Sequence, residues 1–226
     1  MEKILMNWSG GKDSAMALYL LQQNKNVEVL SLLTSVNKEM QRISMHGVHI
    51  DLLKKQADCI GLPLQLLQVP ESTQMEVYEK AMEEQLSHFS KLGVRTSAFG
   101  DILLEDLREY REKQLAKIGW KAKFPLWQKD TQKLVHDFIE MGFKTRVCCI
   151  NKEFLGTEFL GRDIDEDFIN DLPKNVDPCG ENGEFHTFVY DGPIFREPLN
   201  ISNGEKIEKS YSHDGKSYGF EFIDLK

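Results

Sequence analysis

Lys3-Ile4-Leu5-Met6-Asn7-Trp8-Ser9-Gly10-Gly11-Lys12-Asp13-Ser14, near the amino terminus, decides the fold. The apolar run through Trp8 reads as a buried strand, the Gly-Gly pair turns the chain, and the Ala15, Leu18, Leu21 spacing beyond it is helical. A strand-loop-helix unit of this kind directs backbone N–H groups and the positive end of a helix dipole at one point, where an anion is stabilised. Gly10 and Gly11 allow close approach and positive φ, Ser9 and Ser14 supply hydroxyls, and Lys12 supplies a cation. Asp13 serves either as a helix cap or as an indirect magnesium contact. The bland alternative is a tight turn capped by Ser9, but a cap requires neither the second glycine nor the lysine.

Outward from this unit, strands and helices alternate. Val27 to Thr34 reads as a strand, Gly47 to Ile60 as a helix, Leu64 to Val69 as a strand and Glu76 to Leu92 as a helix. Val94 to Phe99 is a short strand ending in Gly100-Asp101, and Leu104 to Ile118 is a helix. Parallel neighbours need crossover connections, so the expected fold is α/β, a doubly wound parallel sheet with helices on both faces. Ligands in such sheets sit beyond the carboxyl ends of the strands, which draws attention to the loops after Trp8, Leu33 and Phe99.

The character changes past Lys123-Phe124-Pro125-Leu126-Trp127. A helix over Thr131 to Met141 and a strand over Lys144 to Ile150 precede loop-rich sequence, and period-two alternation around His213-Asp214-Gly215-Lys216 predicts a hairpin. We expect a nucleotide-binding domain over 1–128 and a smaller α+β substrate domain over 129–226.

Composition narrows the function. The net charge of −8 opposes wrapping a long polyanion, whose binding depends on neutralised phosphates, so nucleic acid is disfavoured as a partner. No apolar run approaches the length that spans a bilayer, and Met1 to Trp8 has an acidic residue and too short an apolar stretch for an export signal. A cytoplasmic location is expected. Cys59, Cys148, Cys149 and Cys179 have no CxxC spacing and read as reduced thiols, with no metal site among the protein side chains. Cys179 reads as a buried structural thiol, Trp8 and Trp127 as packing residues.

A second signature, Asp177-Pro178-Cys179-Gly180-Glu181-Asn182-Gly183-Glu184-Phe185-His186-Thr187, lacks hydrophobic periodicity and concentrates carboxylates, an amide and an imidazole. Glu181, Glu184 and His186 each qualify as a proton acceptor or cation contact, Asn182 as an orienting amide; the same residues also suit a polar turn before a strand from Phe185. His46 follows the second strand, where contact with a nucleotide is feasible, and Asp101 lies on the same rim as the glycine loop, as a metal or ammonium contact or a helix cap. Thr34, with Leu33 and Ser35, is placed to offer backbone to an adenine.

Both signatures resemble the diphthine ammonia ligase group of PP-loop ATP pyrophosphatases, the adenine nucleotide alpha hydrolases. Phe99-Gly100-Asp101-Ile102, Tyr110-Arg111-Glu112, Pro125-Leu126-Trp127 and Leu160-Gly161 match as well, so the resemblance covers nearly the whole chain. The glycine loop differs from a Walker loop because Lys12 is followed by Asp13 and no earlier glycine has the required spacing. The resemblance implies that the loop grips the β and γ phosphates of ATP, with Mg2+, and that pyrophosphate leaves. It further implies amidation by ammonium of the carboxylate of diphthine, a modified histidine on translation elongation factor 2. Under this reading Ser9, Gly10, Gly11, Lys12, Asp13, Ser14, Thr34, His46 and Asp101 bind the nucleotide, while Lys12, Glu181, Asn182, Glu184 and His186 act in catalysis. The sequence reads as a minimal form, expected to lack the deaminase-like carboxy-terminal extension that many eukaryotic members carry. Two competing readings are a PP-loop enzyme acting on a tRNA base and a noncatalytic adenine-nucleotide sensor.

Overall fold

The structure, a computed structural model, describes residues 1–43, 46–70, 75–213 and 216–226. Strand β1 (Glu2–Asn7) runs into the glycine loop and helix α1 (Lys12–Gln22). Strands β2 (Val27–Asn37) and β3 (Arg42–Ile43), helix α2 (Ile50–Ile60), strand β4 (Leu64–Val69) and helix α3 (Met75–Lys91) follow. The first half closes with β5 (Thr96–Ala98), α4 (Glu105–Lys117) and β6 (Lys121–Lys123). The second half contains α5 (Thr131–Glu140), β7 (Lys144–Asn151), α6 (Glu166–Asp171), β8 (Phe185–Asp191), β9 (Asn203–His213) and β10 (Lys216–Leu225).

β1 pairs in parallel with β2 on one edge and β5 on the other; β4 extends the sheet beyond β2, and β6 beyond β5. The chain therefore builds outward in one direction through β2 and β4, then crosses back to build in the other. Strand order reverses between β1 and β5, and the loops leaving those two strands border the crevice such a reversal creates.

Side-chain alternation in β1 explains why the sheet is covered on both faces. Ile4 and Met6 point to the side of α1 and α2, in a core with Leu18, Leu32 and Leu53. Leu5 points the other way, into a core with Leu33, Leu86, Phe89, Leu115 and Trp120, where α3 and α4 cover the sheet. The second sheet, in order β8-β7-β10-β9, is antiparallel. Its Val147, Ile150, Phe188 and Val189 share the core of α1 and α2, joined by Leu134 and Phe138 of α5. One apolar core thus runs beneath both halves and fixes β8 against the glycine loop.

The expected alternation is present, with local differences. α2 starts at Ile50 instead of Gly47, because His49 caps it by accepting the Asp51 N–H at 3.2 Å. It ends at Gly61, which has φ +78°. β3 and β6 are short polar segments in which no period could be read. α6 is a single capped turn and a half whose Asp165 side chain accepts the Phe168 N–H at 2.8 Å. Both hairpin strands are longer than the alternation indicated, and the predicted Asp214-Gly215 turn lies outside the described residues. No helix among the described residues is long and apolar enough to cross a membrane.

Candidate active site

A cleft of about 680 Å³ lies at the strand-order reversal. From the first sheet Ser9, Lys12, Asp13, Ser14, Thr34, His46 and Asp101 line it; Glu181, Asn182 and His186 face them from the second half. Ten of the thirteen residues predicted from sequence thus converge on one space. Gly10, Gly11 and Glu184 do not line it, and each has a definite place beside it.

The glycines form the underside of the loop. Gly10 has φ +78°, and a Cβ there would lie 3.0 Å from Gln56 Oε1. At Gly11 the obstacle is the opposite wall: a Cβ would come within 2.9 Å of the His46 ring and 3.0 Å of the Thr187 carbonyl oxygen. Contacts this close exclude any side chain, so the second glycine serves tertiary packing. The hydroxyls are ordered locally: Ser9 Oγ accepts the Gly11 N–H at 3.2 Å and donates to Ser14 Oγ, which donates to the Gly11 carbonyl at 2.9 Å.

Lys12 is 4% exposed. Its Nζ lies 2.7 Å from Asp13 Oδ1 and also donates to the Cys179 carbonyl, while its N–H donates to Thr187 Oγ1 at 3.0 Å. Burial alone would discharge this amine, but the Asp13 carboxylate outweighs it and holds the ammonium above its ordinary pKa. The charge is therefore permanent, at the amino-terminal turn of α1.

Across the cleft, the second signature forms a loop folded around two carboxylates. Glu184, fully buried, accepts the Asp177 N–H at 3.0 Å, the Asn182 N–H at 2.8 Å and the Asn182 side-chain amide at 2.9 Å. Asp177 accepts the Cys179 N–H at 2.8 Å and the Thr131 hydroxyl at 2.7 Å. Gly180, at φ +71°, makes the turn. The result presents Glu181 to the cleft. Burial first, and then the Asp13 charge, push the Glu181 carboxyl up to about 7, although it accepts the Leu103 N–H at 3.3 Å.

His46 and His186 lie with ring centroids 4.8 Å apart. His46 Nδ1 is 3.0 Å from the Thr187 carbonyl, which can only accept, so the proton sits on Nδ1 and Nε2 keeps its lone pair. Burial lowers His46 to about 4; burial, and next the neighbouring His46, lower His186 to about 3. Both imidazoles are neutral near pH 7. His186 Nε2 is buried without a hydrogen-bond partner among the described residues, an unusual state for a polar atom and one that a ligand atom could relieve.

Other predicted positions are already engaged. Thr34 donates its hydroxyl to the Trp8 carbonyl at 2.6 Å, which shapes the strand end, and Asp101 pairs with Arg111 at 2.9 Å. Arg111 in turn lies over Phe99 at 4.2 Å. Cys179 is buried, its thiol pushed up to about 12 chiefly by burial, as expected of a structural cysteine. Among the described residues no group of three or more His, Cys, Asp or Glu is placed to hold a metal ion.

Two important residues escaped sequence reasoning. Gln56 is fully buried in α2; its Oε1 accepts the Trp8 indole N–H at 2.8 Å, and its Nε2 donates to the carbonyls of Gly10 at 3.0 Å and Val189 at 2.5 Å. Its only sequence signal is a polar residue on the apolar stripe Leu53, Gln56, Ala57, Ile60. Gly100 is the second: a Cβ there would lie 2.8 Å from the Asp13 carbonyl carbon and the Ser14 nitrogen. It lets the loop after β5 rest on the glycine-loop backbone.

Strand-order reversal, a glycine loop entering a helix and a buried lysine at that helix's first turn define an α/β protein of the PP-loop nucleotide-binding class. Comparison with known families narrows this further. Residues 1–122 match the diphthamide synthase N-terminal domain and residues 130–219 the diphthamide synthase C-terminal domain, and the chain belongs to this family. Its curated relatives include diphthine–ammonia ligase of Schizosaccharomyces pombe, 27% identical over 226 residues that cover 92% of this chain and 37% of that protein. The Saccharomyces cerevisiae diphthine–ammonia ligase is 24% identical, covering 83% of this chain and 33% of its own length. The Homo sapiens protein of the same name is 25% identical, with 54% and 48% covered. The chain spans a third to a half of the length of these relatives.

Proposed function

We propose that this chain is an ATP-dependent amide ligase that activates a diphthine-like carboxylate and aminolyses it with ammonia, releasing AMP and pyrophosphate. The observation that carries the reading is Lys12, a permanently charged, buried ammonium held between Asp13 of the loop and Cys179 of the second signature. A phosphate chain laid on the amino terminus of α1 would meet this charge, the Ser9 and Ser14 hydroxyls and the helix dipole together. The name of the relatives, diphthine–ammonia ligase, supplies the acceptor and the amine; the acceptor would be presented on a translation elongation factor.

In this mechanism a carboxylate oxygen attacks the α-phosphorus, the α–β bridging bond breaks, and pyrophosphate leaves with its developing charge facing Lys12. Ammonia then attacks the acyl carbon and AMP leaves. Glu181, with a pKa near neutrality and a place in the cleft, is the group suited to take the proton from ammonium. Asn182 orients the acyl group, and neutral His186, with its proton on Nε2, meets phosphate oxygen without adding charge, while His46 offers a lone pair on Nε2 to a ligand donor. Glu184 acts one step back, shaping the loop that presents Glu181 and Asn182. A magnesium ion would neutralise phosphate charge and take most of its ligands from phosphate and water, since the protein offers no cluster of its own among the described residues.

Incubation with magnesium, ATP, ammonium and a panel of carboxylates, with AMP and pyrophosphate quantified, tests the proposal. Stoichiometric AMP, pyrophosphate and amide are expected. ADP and phosphate instead would overturn it, and ATP binding without turnover across the panel would favour a sensor.

A further inference from the structure

The outer strands of the two sheets are guarded unequally. β6, at one end of the first sheet, is a short strand with Lys121 and Lys123, and β9, at one end of the second, carries Lys206 and Lys209 among glutamates. Charges of this kind discourage a further strand from adding. β8 is covered: its Val189 N–H donates to the Gly10 carbonyl at 2.9 Å, and its Tyr190 carbonyl accepts the Leu199 N–H at 2.8 Å. β4 has none of these protections. Its sequence, Leu64-Gln65-Leu66-Leu67-Gln68-Val69, holds no charge and no proline, and it pairs with β2 in an unbroken register.

The hydrogen bonds show which backbone groups the free edge presents. The Pro63 carbonyl accepts the Leu32 N–H at 2.8 Å, and the Val69 carbonyl accepts the Lys38 N–H at 2.9 Å. Odd-numbered residues of this stretch therefore turn their backbone toward β2, and even-numbered ones turn it away. Leu64, Leu66 and Gln68 direct N–H and C=O outward, where no strand pairs with them among the described residues. The strand itself is firmly held. Leu64 and Leu66 pack toward the core of α1 and α2, Leu67 and Val69 toward that of α3 and α4. Beside the edge lies an open groove whose α3 wall is Ala81, Glu84, Gln85 and His88.

We infer that β4 pairs antiparallel with β4 of a second copy of this chain, about a twofold axis at Leu66, so that the sheet continues across both chains. This register uses all three outward residues: Leu66 meets its own counterpart, and Leu64 of each chain meets Gln68 of the other, with about six hydrogen bonds exchanged. Self-pairing also suits the groove. The twofold runs the two α3 helices antiparallel and lays the Ala81–Glu84 end of one wall against the Gln85–His88 end of the other, small against large and acid against imidazole. The neighbour of β4 is β2, whose Leu33, Thr34 and Ser35 line the cleft, so the pairing braces the strand that borders the candidate active site.

Sedimentation equilibrium on the full chain at micromolar concentration should return twice the mass of the 26.1 kDa chain. Gln68→Pro deletes an outward N–H at an exposed position and leaves the β2 ladder intact. It should weaken self-association about tenfold or more while the circular dichroism spectrum stays unchanged. A second measurement fixes the register. In a Cys59→Ser background, which removes the partly exposed native thiol, Leu66→Cys places two thiols on residues about 5.5 Å apart at Cα, within disulfide reach, and mild oxidation should link the chains. Gln68→Cys, whose opposite residue is Leu64, should link far less. A monomeric parent chain, a dimer indifferent to Gln68→Pro, or equal cross-linking at 66 and 68 would each overturn the inference. Neither measurement involves ATP or turnover, so its outcome is independent of the proposed ligase activity.

Discussion

Gln56 accepts the indole N–H of Trp8 at 2.8 Å, and through the same side-chain amide it holds Gly10 of the glycine loop and Val189 of β8. Val189 completes the link by donating its own N–H to the Gly10 carbonyl at 2.9 Å. The two sides of the cleft are thus fastened at the base of the phosphate loop by one buried residue. Gln56→Leu removes the acceptor of a buried indole and the donor of two carbonyls. It should destabilise the chain by about 2–4 kcal/mol, visible as a lower melting temperature, and weaken ATP binding by calorimetry. Gln56→Glu keeps an acceptor for Trp8 but sets a carboxylate against two carbonyl oxygens, so it should be worse than leucine. A glutamate variant as stable as the parent would show that Gln56 is not the fastening.

Lys12→Met keeps most of the side-chain volume and deletes the charge. Loss of electrostatic stabilisation of a leaving group costs about a hundredfold or more in turnover, so pyrophosphate release should fall at least that far. Asp13, about a third exposed, can turn toward water once its partner is gone, so the fold should persist. Retained pyrophosphate release in Lys12→Met would remove the residue on which the proposed function depends.

Glu184 is the place where residue type and residue role separate. Read in the sequence, its carboxylate is as good a base as that of Glu181; in the structure it is saturated by three hydrogen bonds from Asp177 and Asn182. Glu184→Gln should cost about 2–3 kcal/mol of stability, because an amide nitrogen must face N–H donors. The amidation rate should drop only as far as the loop deforms, and KM for ATP should change little. A stable Glu184→Gln protein with abolished amidation would instead place this carboxylate in the chemistry.

The contrast shows what was legible. The alternation of β1 through α4 could be read because each strand buries residues on both faces and each helix shows a stripe, and the phosphate loop could be read because its residue types have few other uses. Glu181 and Glu184 could not be told apart, since three positions of separation do not say which side chain turns inward around Gly180 and Gly183. Gln56 and Gly100 carry no local signature at all; their roles arise from contacts with residues 46 positions earlier and 86 positions earlier in the chain. Such long-range fits become visible only once the sheet order brings β1, β5 and β8 together.

The paired histidines, with ring planes tilted 34° from each other, give the fold an acid sensitivity of fixed sign. An unfolded histidine titrates near 6.5, whereas His46 and His186 are lowered to about 4 and about 3. Between those values the unfolded chain binds more protons than the native one, so stability is full above about 6.5 and declines as pH falls toward 4. At pH 5 each imidazole withdraws at most about 2 kcal/mol. Denaturant melts at pH 7 and pH 5 should show this loss, and His186→Asn should reduce it. An unchanged pH dependence in that variant would mean His186 is already charged in the native protein.

The proposed base carries the opposite kind of signature, one in rate. Burial and the neighbouring Asp13 charge raise the Glu181 carboxyl to about 7, so the carboxylate form grows across neutrality instead of being complete by pH 5. If it takes the proton from ammonium, the amide-forming step at a fixed concentration of ammonium should accelerate as pH rises from 6 and level off by pH 8, once the carboxylate is formed. The levelling matters, because ammonia free in solution also rises with pH but does so without a plateau in this range. Glu181→Gln should flatten this limb and slow the step by about a hundredfold, in the range for loss of a general base. Adenylation, followed by pyrophosphate exchange into ATP, should fall much less, because Lys12 and the loop remain. If exchange and amidation fell together, Glu181 would be acting on the nucleotide and the base would have to be sought elsewhere in the cleft.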